Sequence, residues 1–382
     1  MIHLPLYPLV AFSLVFASPD VNSAVDSHCR ETAIYSVGTA PGTPDQSAAF
    51  NIKDALPPGY VKDGSVDYTD VIQKAIDTHD VIIFPGFPVL VNDKGLIIGS
   101  NKHITFESGA KIMLKPTTAG SYAILRMRDV SNVTIVNPVI YGDRKQHLGT
   151  GGQWGAGIGI YSGNNITIKN PKVYDCWGDG IYIGEDMKLG RESRDILISG
   201  AYCRNNRRNG ISVVSVDGLQ LISPYAGYTN GQSPMCGIDV EPNNAKNVLK
   251  RIRITDAVTE KNESYGILMN ITRLYGGGNN LVDVTVQNHN DNYSAGGLRV
   301  VAYRLQPGNG GNLGGNISVI NPHWNSNSKR ALDAMGVYEK NLKLNFSGVK
   351  ISSANRRVLD SSQTRNLIIN SVSKKTDLQF VH

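Results

Sequence analysis

The sequence predicts an all-β protein, a single right-handed parallel β-helix with a short N-terminal capping helix, and three observations carry that prediction. Short β-patterned segments recur through most of the 382 residues at intervals too small for a crossover helix, which is the mark of a solenoid. Turn residues recur at one fixed phase before the same strand, as in Asn132-Val133-Thr134, Asn165-Ile166-Thr167 and Asn316-Ile317-Ser318, whereas a β-sandwich would need hairpins that reverse direction. Composition agrees: 40 glycines, frequent Asn and only 18% charged residues leave little material for long amphipathic helices.

In chain order, residues 4–17 form an apolar stretch too short to span a bilayer, and Ser23 and Ala24 suit signal peptidase. Residues 1–24 are therefore expected to be a signal peptide and the protein to be secreted or periplasmic. Residues 25–66, rich in Pro, Gly, Ser and Asp, read as an irregular lead-in, and residues 67–382 as the β-helix domain. Asp67 or Thr69 can cap a helix whose Val71, Ile72, Ala75 and Ile76 share one face, placed to cover the open end of the core.

Two series of strands then alternate. One is led by glycine, at Gly157, Gly180, Gly210, Gly237, Gly266 and Gly297, in steps of 23, 30, 27, 29 and 31 residues. The other begins at Val133, Ile166, Ile196, Leu219, Ile252, Val282, Ile317 and Leu367. Stacked as parallel strands, their alternate aliphatics bury in continuous columns. The Asn-x-Thr/Ser triplets are formal glycosylation sequons, but a stacked Asn at a repeated bend accounts for them without glycans.

The strings DYTDVIQKAID, VIIFPGFPVLV and GSNKHITFESGAKIML resemble the amino-terminal cap and first coils of pectate-lyase-like β-helix proteins, a superfamily of polysaccharide lyases, polygalacturonase-type hydrolases, epimerases and capsule depolymerases. The resemblance covers roughly residues 66–375 and implies the fold more firmly than the reaction, because one scaffold hosts several chemistries. HLGTGGQWG (His147 to Gly155) and GIDVEPN (Gly237 to Asn243) also resemble strings of capsule-degrading β-helix proteins, with Gln153 standing where that form carries Glu.

Aligning the glycine-led strands sorts their faces. Ile158, Ile181, Ile211, Ile238, Ile267 and Leu298 point inward; Gly159, Tyr182, Ser212, Asp239, Leu268 and Arg299 point outward, followed two residues on by Tyr161, Gly184, Val214, Glu241, Asn270 and Val301. Asp239 and Glu241 thus share one exposed face, the carboxylate pair that glycosidic hydrolysis uses as acid and as base or nucleophile. Mutual repulsion would raise one of the two pKa values and supply the acid. The alternative is a pair of ordinary solvated strand residues. A second cluster, WGDGIYIGED, offers Asp179 as a further catalytic candidate or turn former, Trp177 and Tyr182 as sugar-stacking rings and Glu185 as a hydroxyl partner. No cofactor is required, although Glu185 and Asp186 are the residues that would hold Ca²⁺. The glycine-rich excursion from Tyr141 to Ile158 places Trp154 and His147 beside substrate, and Arg207, Arg208 and Arg299 could pair with substrate carboxylates or simply be solvated.

Net charge is +6 without a basic run, so neither a nucleic-acid patch nor membrane insertion is expected, and an anionic partner is favoured. No glycine-rich loop follows a strand and opens a helix, which removes nucleotide-dependent classes. Cys29, Cys176, Cys203 and Cys236 have no metal or redox spacing. The leading expectation is an exported glycoside hydrolase acting on an acidic extracellular or capsular polysaccharide. A lyase acting by β-elimination and a non-catalytic carbohydrate-binding module are the alternatives, and self-association is left open.

Overall fold

The computed structural model describes residues 49–276, 278, 280–303, 312–335, 341–352, 362–364, 366 and 378–380. The expected signal segment, most of the lead-in, Cys29 and the strand expected at Leu367 lie outside the described residues. Within them the chain is a right-handed parallel β-helix, as the repeats and the resemblance implied.

Each coil gives one strand to each of three parallel sheets, so the repeat has three strands where the sequence showed two clear series. Among the described residues, sheet 1 has 12 strands, sheet 2 has 10 and sheet 3 has 9. Sheet 1 holds the Val133 series and sheet 3 the glycine-led series. Sheet 2 is built from strands as short as Lys172–Tyr174 and Tyr202–Arg204, too brief to register as a repeat. The strands that follow Gly180 and Gly210 pair parallel, Ile181 opposite Ile211.

The register is the one the glycine phase requires. Ile158, Ile181, Ile211, Ile238, Ile267 and Leu298 are consecutive partners, and all are 0% exposed. This column, with its counterparts on the other sheets, forms one continuous core.

Corners between sheets need a residue that turns the chain sharply, and they use the left-handed conformation that Asn, Asp and Gly tolerate best. From sheet 1 to sheet 2 the turning residues are Asn137, Asn170, Gly200, Ser223, Asp256, Asn288, Asn321 and Gly348, all with positive φ. The sequon residues Asn132 and Asn165 are also left-handed, and Asn165 Nδ2 donates to Asn132 Oδ1 at 2.9 Å, the stacking expected of them. At Asn316 the preceding Gly315 takes the positive φ instead.

The cap helix runs Thr69–Thr78 and buries Ile72, Ala75 and Ile76 against the first coil. Asp67 Oδ1 accepts from the Thr69 backbone N–H at 3.0 Å. Order begins earlier than the sequence reading placed it: Phe50–Asn51 pairs parallel with Val81–Phe84, and Ile52, fully buried in the 3₁₀ turn Ile52–Ala55, joins the core. A two-residue strand and one buried Ile are too small a signal to stand out from a polar lead-in. No described helix is long and apolar enough to cross a membrane. Cys176, Cys203 and Cys236 are free and buried.

Inside the coil, sheet 2 changes character near its carboxyl-terminal half. Its inward column runs Cys203, Ala226, Thr259, Asp291, Trp324, Ile351, so an acid enters the core. There Trp324 Nε1 donates to His289 Nδ1 at 3.2 Å, His289 Nε2 lies 2.7 Å from Thr259 Oγ1, and Thr259 Oγ1 donates to Asp291 Oδ1 at 2.6 Å. The two end bonds fix the histidine: Nδ1 accepts, so Nε2 carries the proton.

Candidate functional site

The outward column of sheet 3 reads, rung by rung, Ile97, Arg126, Gly159, Tyr182, Ser212, Asp239, Leu268, Arg299, Asp333. At its centre three carboxylates converge on one cation. Arg208, from the corner before Gly210, donates from Nη1 to Asp179 Oδ2 at 3.0 Å and Oδ1 at 3.2 Å, and from Nη2 to Glu241 Oε2 at 3.3 Å. Its Nη2 also stands 3.9 Å from Asp239 Oδ2. Asp179 reaches this point because it occupies the corner position one coil earlier, immediately before Gly180.

Asp239 faces outward as expected, but it is 1% exposed rather than open to solvent on that face. Arg208 and Asn209 close over it, Asn209 Nδ2 donating to Asp239 Oδ2 at 2.9 Å, while Asp239 Oδ1 has no partner among the described residues. Burial and the neighbouring Glu241 push its pKa well above the usual carboxylate range, against the pull of Arg208. Asp179 is raised as well, chiefly by burial. Arg208 would be lowered by burial, but the acids outweigh this and hold it raised and charged. Glu241 is the acid that solvent reaches, its side chain 28% exposed, with Oε1 accepting from Asn270 Nδ2 at 3.2 Å. The arrangement therefore combines a buried acid shifted toward its protonated form, an acid that solvent reaches and a fixed cation between them.

Tyr182 lies two rungs from Asp239 and stacks on Tyr161, ring centroids 5.2 Å apart, with burial raising both hydroxyls. Glu185 is buried and its Oε1 accepts from Asn244 Nδ2 at 2.8 Å; Asp186 pairs with Arg128 at 2.6 Å. Among the described residues no group of three or more His, Cys, Asp or Glu side chains is arranged to hold a metal.

The remaining expected residues lie elsewhere. His147 is not on the surface beside a substrate: its side chain is 1% exposed, bonded to Asp143 at 2.7 Å and stacked on Trp177 at 3.8 Å, with Arg207 over the Trp177 ring. These contacts pin the 142–153 excursion to the coil, and the loop passes close because Gly152 packs directly on Gly120, where a Cβ would meet the opposing backbone at 2.2 Å. Trp154 is 58% exposed but does not wall the acids. It sits opposite Ser121, four residues before Ile158 and three rungs from Ile238, about 14 Å along the axis. Arg299 is occupied by Asp333 at 3.5 Å rather than by the carboxylate pair. Sequence reasoning missed Asn209 and Asn270 as supports of the acids. Asn209 occupies the Asp179 position one coil later, the one signal that could have found it.

A family model described as "Right handed beta helix region" matches residues 89–223. The uncharacterized protein YclG of Bacillus subtilis (strain 168) is 27% identical over 213 residues, 48% of this chain and 36% of that protein, so the chain spans about a third of that relative's length. Among solved structures, the tailspike protein gp49 of Acinetobacter baumannii bacteriophage Fri1, a capsular polysaccharide depolymerase, superimposes with TM-score 0.57 at 14% identity over 88% of this chain and 63% of its own. The A-module of the Azotobacter vinelandii mannuronan C-5 epimerase AlgE4 gives 0.53 at 15% identity over 80% and 89%. At these identities the likeness is one of fold.

Proposed function

We propose that the protein acts outside the cell on an acidic polysaccharide laid along the outer face of sheet 3, and that it hydrolyses glycosidic bonds with Asp239 as proton donor and Glu241 as base or nucleophile. The observation that carries this reading is the contrast within one cluster: Asp239 is driven toward its protonated form by burial and by Glu241, while Glu241 keeps access to solvent. Access to Asp239 requires the Arg208 side chain to swing aside, which a substrate competing for its guanidinium would favour. The β-helix structures that superimpose on this chain include a capsule depolymerase and an epimerase of mannuronan, which supports a polysaccharide partner. The reading requires no cofactor; a Ca²⁺ site at Glu185 and Asp186 would have to displace Asn244 and Arg128.

A second reading, β-elimination from a uronate polymer, rests on Tyr182 and Arg208 lying near one another on this face. The arginine would neutralise the uronate, and the tyrosine, kept protonated by burial, would serve the leaving oxygen better than it would abstract a proton. Digestion of a panel of acidic polysaccharides followed by mass spectrometry separates the two: products heavier by water mean hydrolysis, and unsaturated products of conserved total mass mean elimination. Binding without new chain ends on any polymer, unchanged in Asp239→Asn and Glu241→Gln, would instead identify a non-catalytic module.

A further inference from the structure

Arg126 occupies the outward column four rungs before Asp239, about 19 Å along the axis. The other described arginines are engaged by a carboxylate, a carbonyl or a ring, as Arg128 is by Asp186, Arg208 by Asp179, Arg253 by Asp283 and Arg299 by Asp333. Arg126 has no hydrogen bond or ion pair among the described residues, although it is half-buried. A guanidinium that no protein acid engages can take up an anionic ligand, and its planar fork suits a carboxylate.

The next rung shows what surrounds that position. Opposite Arg126 stands Gly159, and the space its side chain would fill holds the Tyr161 ring, with the hydroxyl 2.8 Å from where a Cβ would be. Tyr161 cannot swing freely. The Arg128 guanidinium lies 4.7 Å from one side of its ring, and Tyr182 stacks on it at 5.2 Å. Its hydroxyl is thereby held about one rung, roughly 5 Å, from the Arg126 column position. Arg126 and Tyr161 are close enough to interact electrostatically, so a planar cation and a restrained hydroxyl on neighbouring rungs can both donate to one carboxylate.

We propose that Arg126 and the Tyr161 hydroxyl form a subsite for the carboxylate of an acidic sugar residue, distinct from the acids at Asp239 and setting both the charge preference and the direction of the bound polymer. This rests on the polysaccharide reading above. Because the subsite and the acids lie on one column, the chain must run along the helix axis, and ligands too short to span the interval lose one of the two contacts.

The test measures binding of polygalacturonate, polymannuronate and polysialic acid, and of their carboxyl-reduced forms, to the parent protein and to Arg126→Gln, Arg126→Lys and Lys172→Gln. Lys172 is an exposed residue of sheet 2, so its variant makes the same charge change on another face. Arg126→Gln should weaken binding of at least one acidic polymer about tenfold or more. Arg126→Lys should restore part of the loss, and Lys172→Gln should do nothing. Reducing the carboxyls should cost the parent at least that factor and cost Arg126→Gln less than it costs the parent. Equal affinities of parent and Arg126→Gln, or an equal loss in Lys172→Gln, would overturn the subsite and leave the polysaccharide reading standing. So would a loss in Arg126→Gln that persists on reduced polymer, or a parent that binds only the reduced forms. A parent that binds none of these polymers, acidic or reduced, overturns the subsite together with the acidic-polymer reading.

Discussion

The Arg208 cluster on the outer face and the His289 corner inside the coil both bury a carboxylic acid, Asp239 in one and Asp291 in the other. They manage its charge in different ways. Asp239 shares a guanidinium with Asp179 and Glu241, so three acids meet one cation. Asp291 meets no cation; it accepts from Thr259 Oγ1 and from Asn327 Nδ2 at 2.6 Å, and the His289 ring behind Thr259 is neutral. Burial raises Asp291 to about 7 and lowers His289 to about 3. The inner corner satisfies both oxygens of its acid, although Asn327 Oδ1 has no partner among the described residues, and it serves the core. The outer cluster leaves Asp239 Oδ1 and Arg208 Nε without partners among the described residues, bonding a substrate could complete.

This contrast can be broken most severely at its cation. Arg208→Met should leave buried acids uncompensated and cost about 3–5 kcal/mol of stability, measured by chemical denaturation. A variant as stable as the parent would show that the acids are neutral without it. Next in size, Asp239→Asn or Glu241→Gln should lower turnover at least about 10²-fold on any polysaccharide the parent cleaves, with the fold unchanged by circular dichroism. If both retain near-parent rates, catalysis does not run through this pair.

The inner corner makes a prediction about pH. Asp291 is raised from an unfolded value near 4, so its contribution is largest at low pH and is lost as pH rises from about 4 through 7. His289 is depressed from about 6.5, so its contribution is present above that value and is lost as pH falls toward 3. Between about pH 4 and 6.5 the two slopes oppose each other. Asp291→Asn removes one, so its stability relative to the parent should climb with pH across that window and level off above about 7. A pH-independent difference would mean that Asp291 does not titrate as the structure requires. The smallest effect is expected from Thr259→Val, which removes the hydroxyl linking His289 to Asp291 while keeping shape, at about 1–3 kcal/mol. A neutral result would show that the link adds nothing to burial alone.

The two regions also differ in how visible they are before folding. GIDVEPN announces Asp239 and Glu241 on one strand at a two-residue spacing, so their common face could be read directly. The inner corner draws Thr259, His289, Asp291 and Trp324 from three coils, and nothing near any one of them in the chain marks it as a partner of the others. Asn209 and Arg208 fall between these cases. Both lie in the corner RRNG, whose place before a glycine-led strand is legible, but their targets belong to neighbouring coils.

The coil, the inward Ile158 to Leu298 column, the outward placement of Asp239 and Glu241, and the Asn132 and Asn165 bends can all be read from the chain alone. Each follows from the two-residue alternation of a strand or from a local backbone preference, and neither depends on what lies across the molecule. It took the folded stack to seal Asp239 while leaving Glu241 open, to make His147 an internal pin against Trp177, to give Arg299 to Asp333, and to leave Arg126 without a hydrogen-bond or ion-pair partner among the described residues. These outcomes rest on burial and on pairing between residues about 30 positions apart, which stacked coils bring within one rung. Solvent access and charge compensation are properties of that stack, and no single segment carries them.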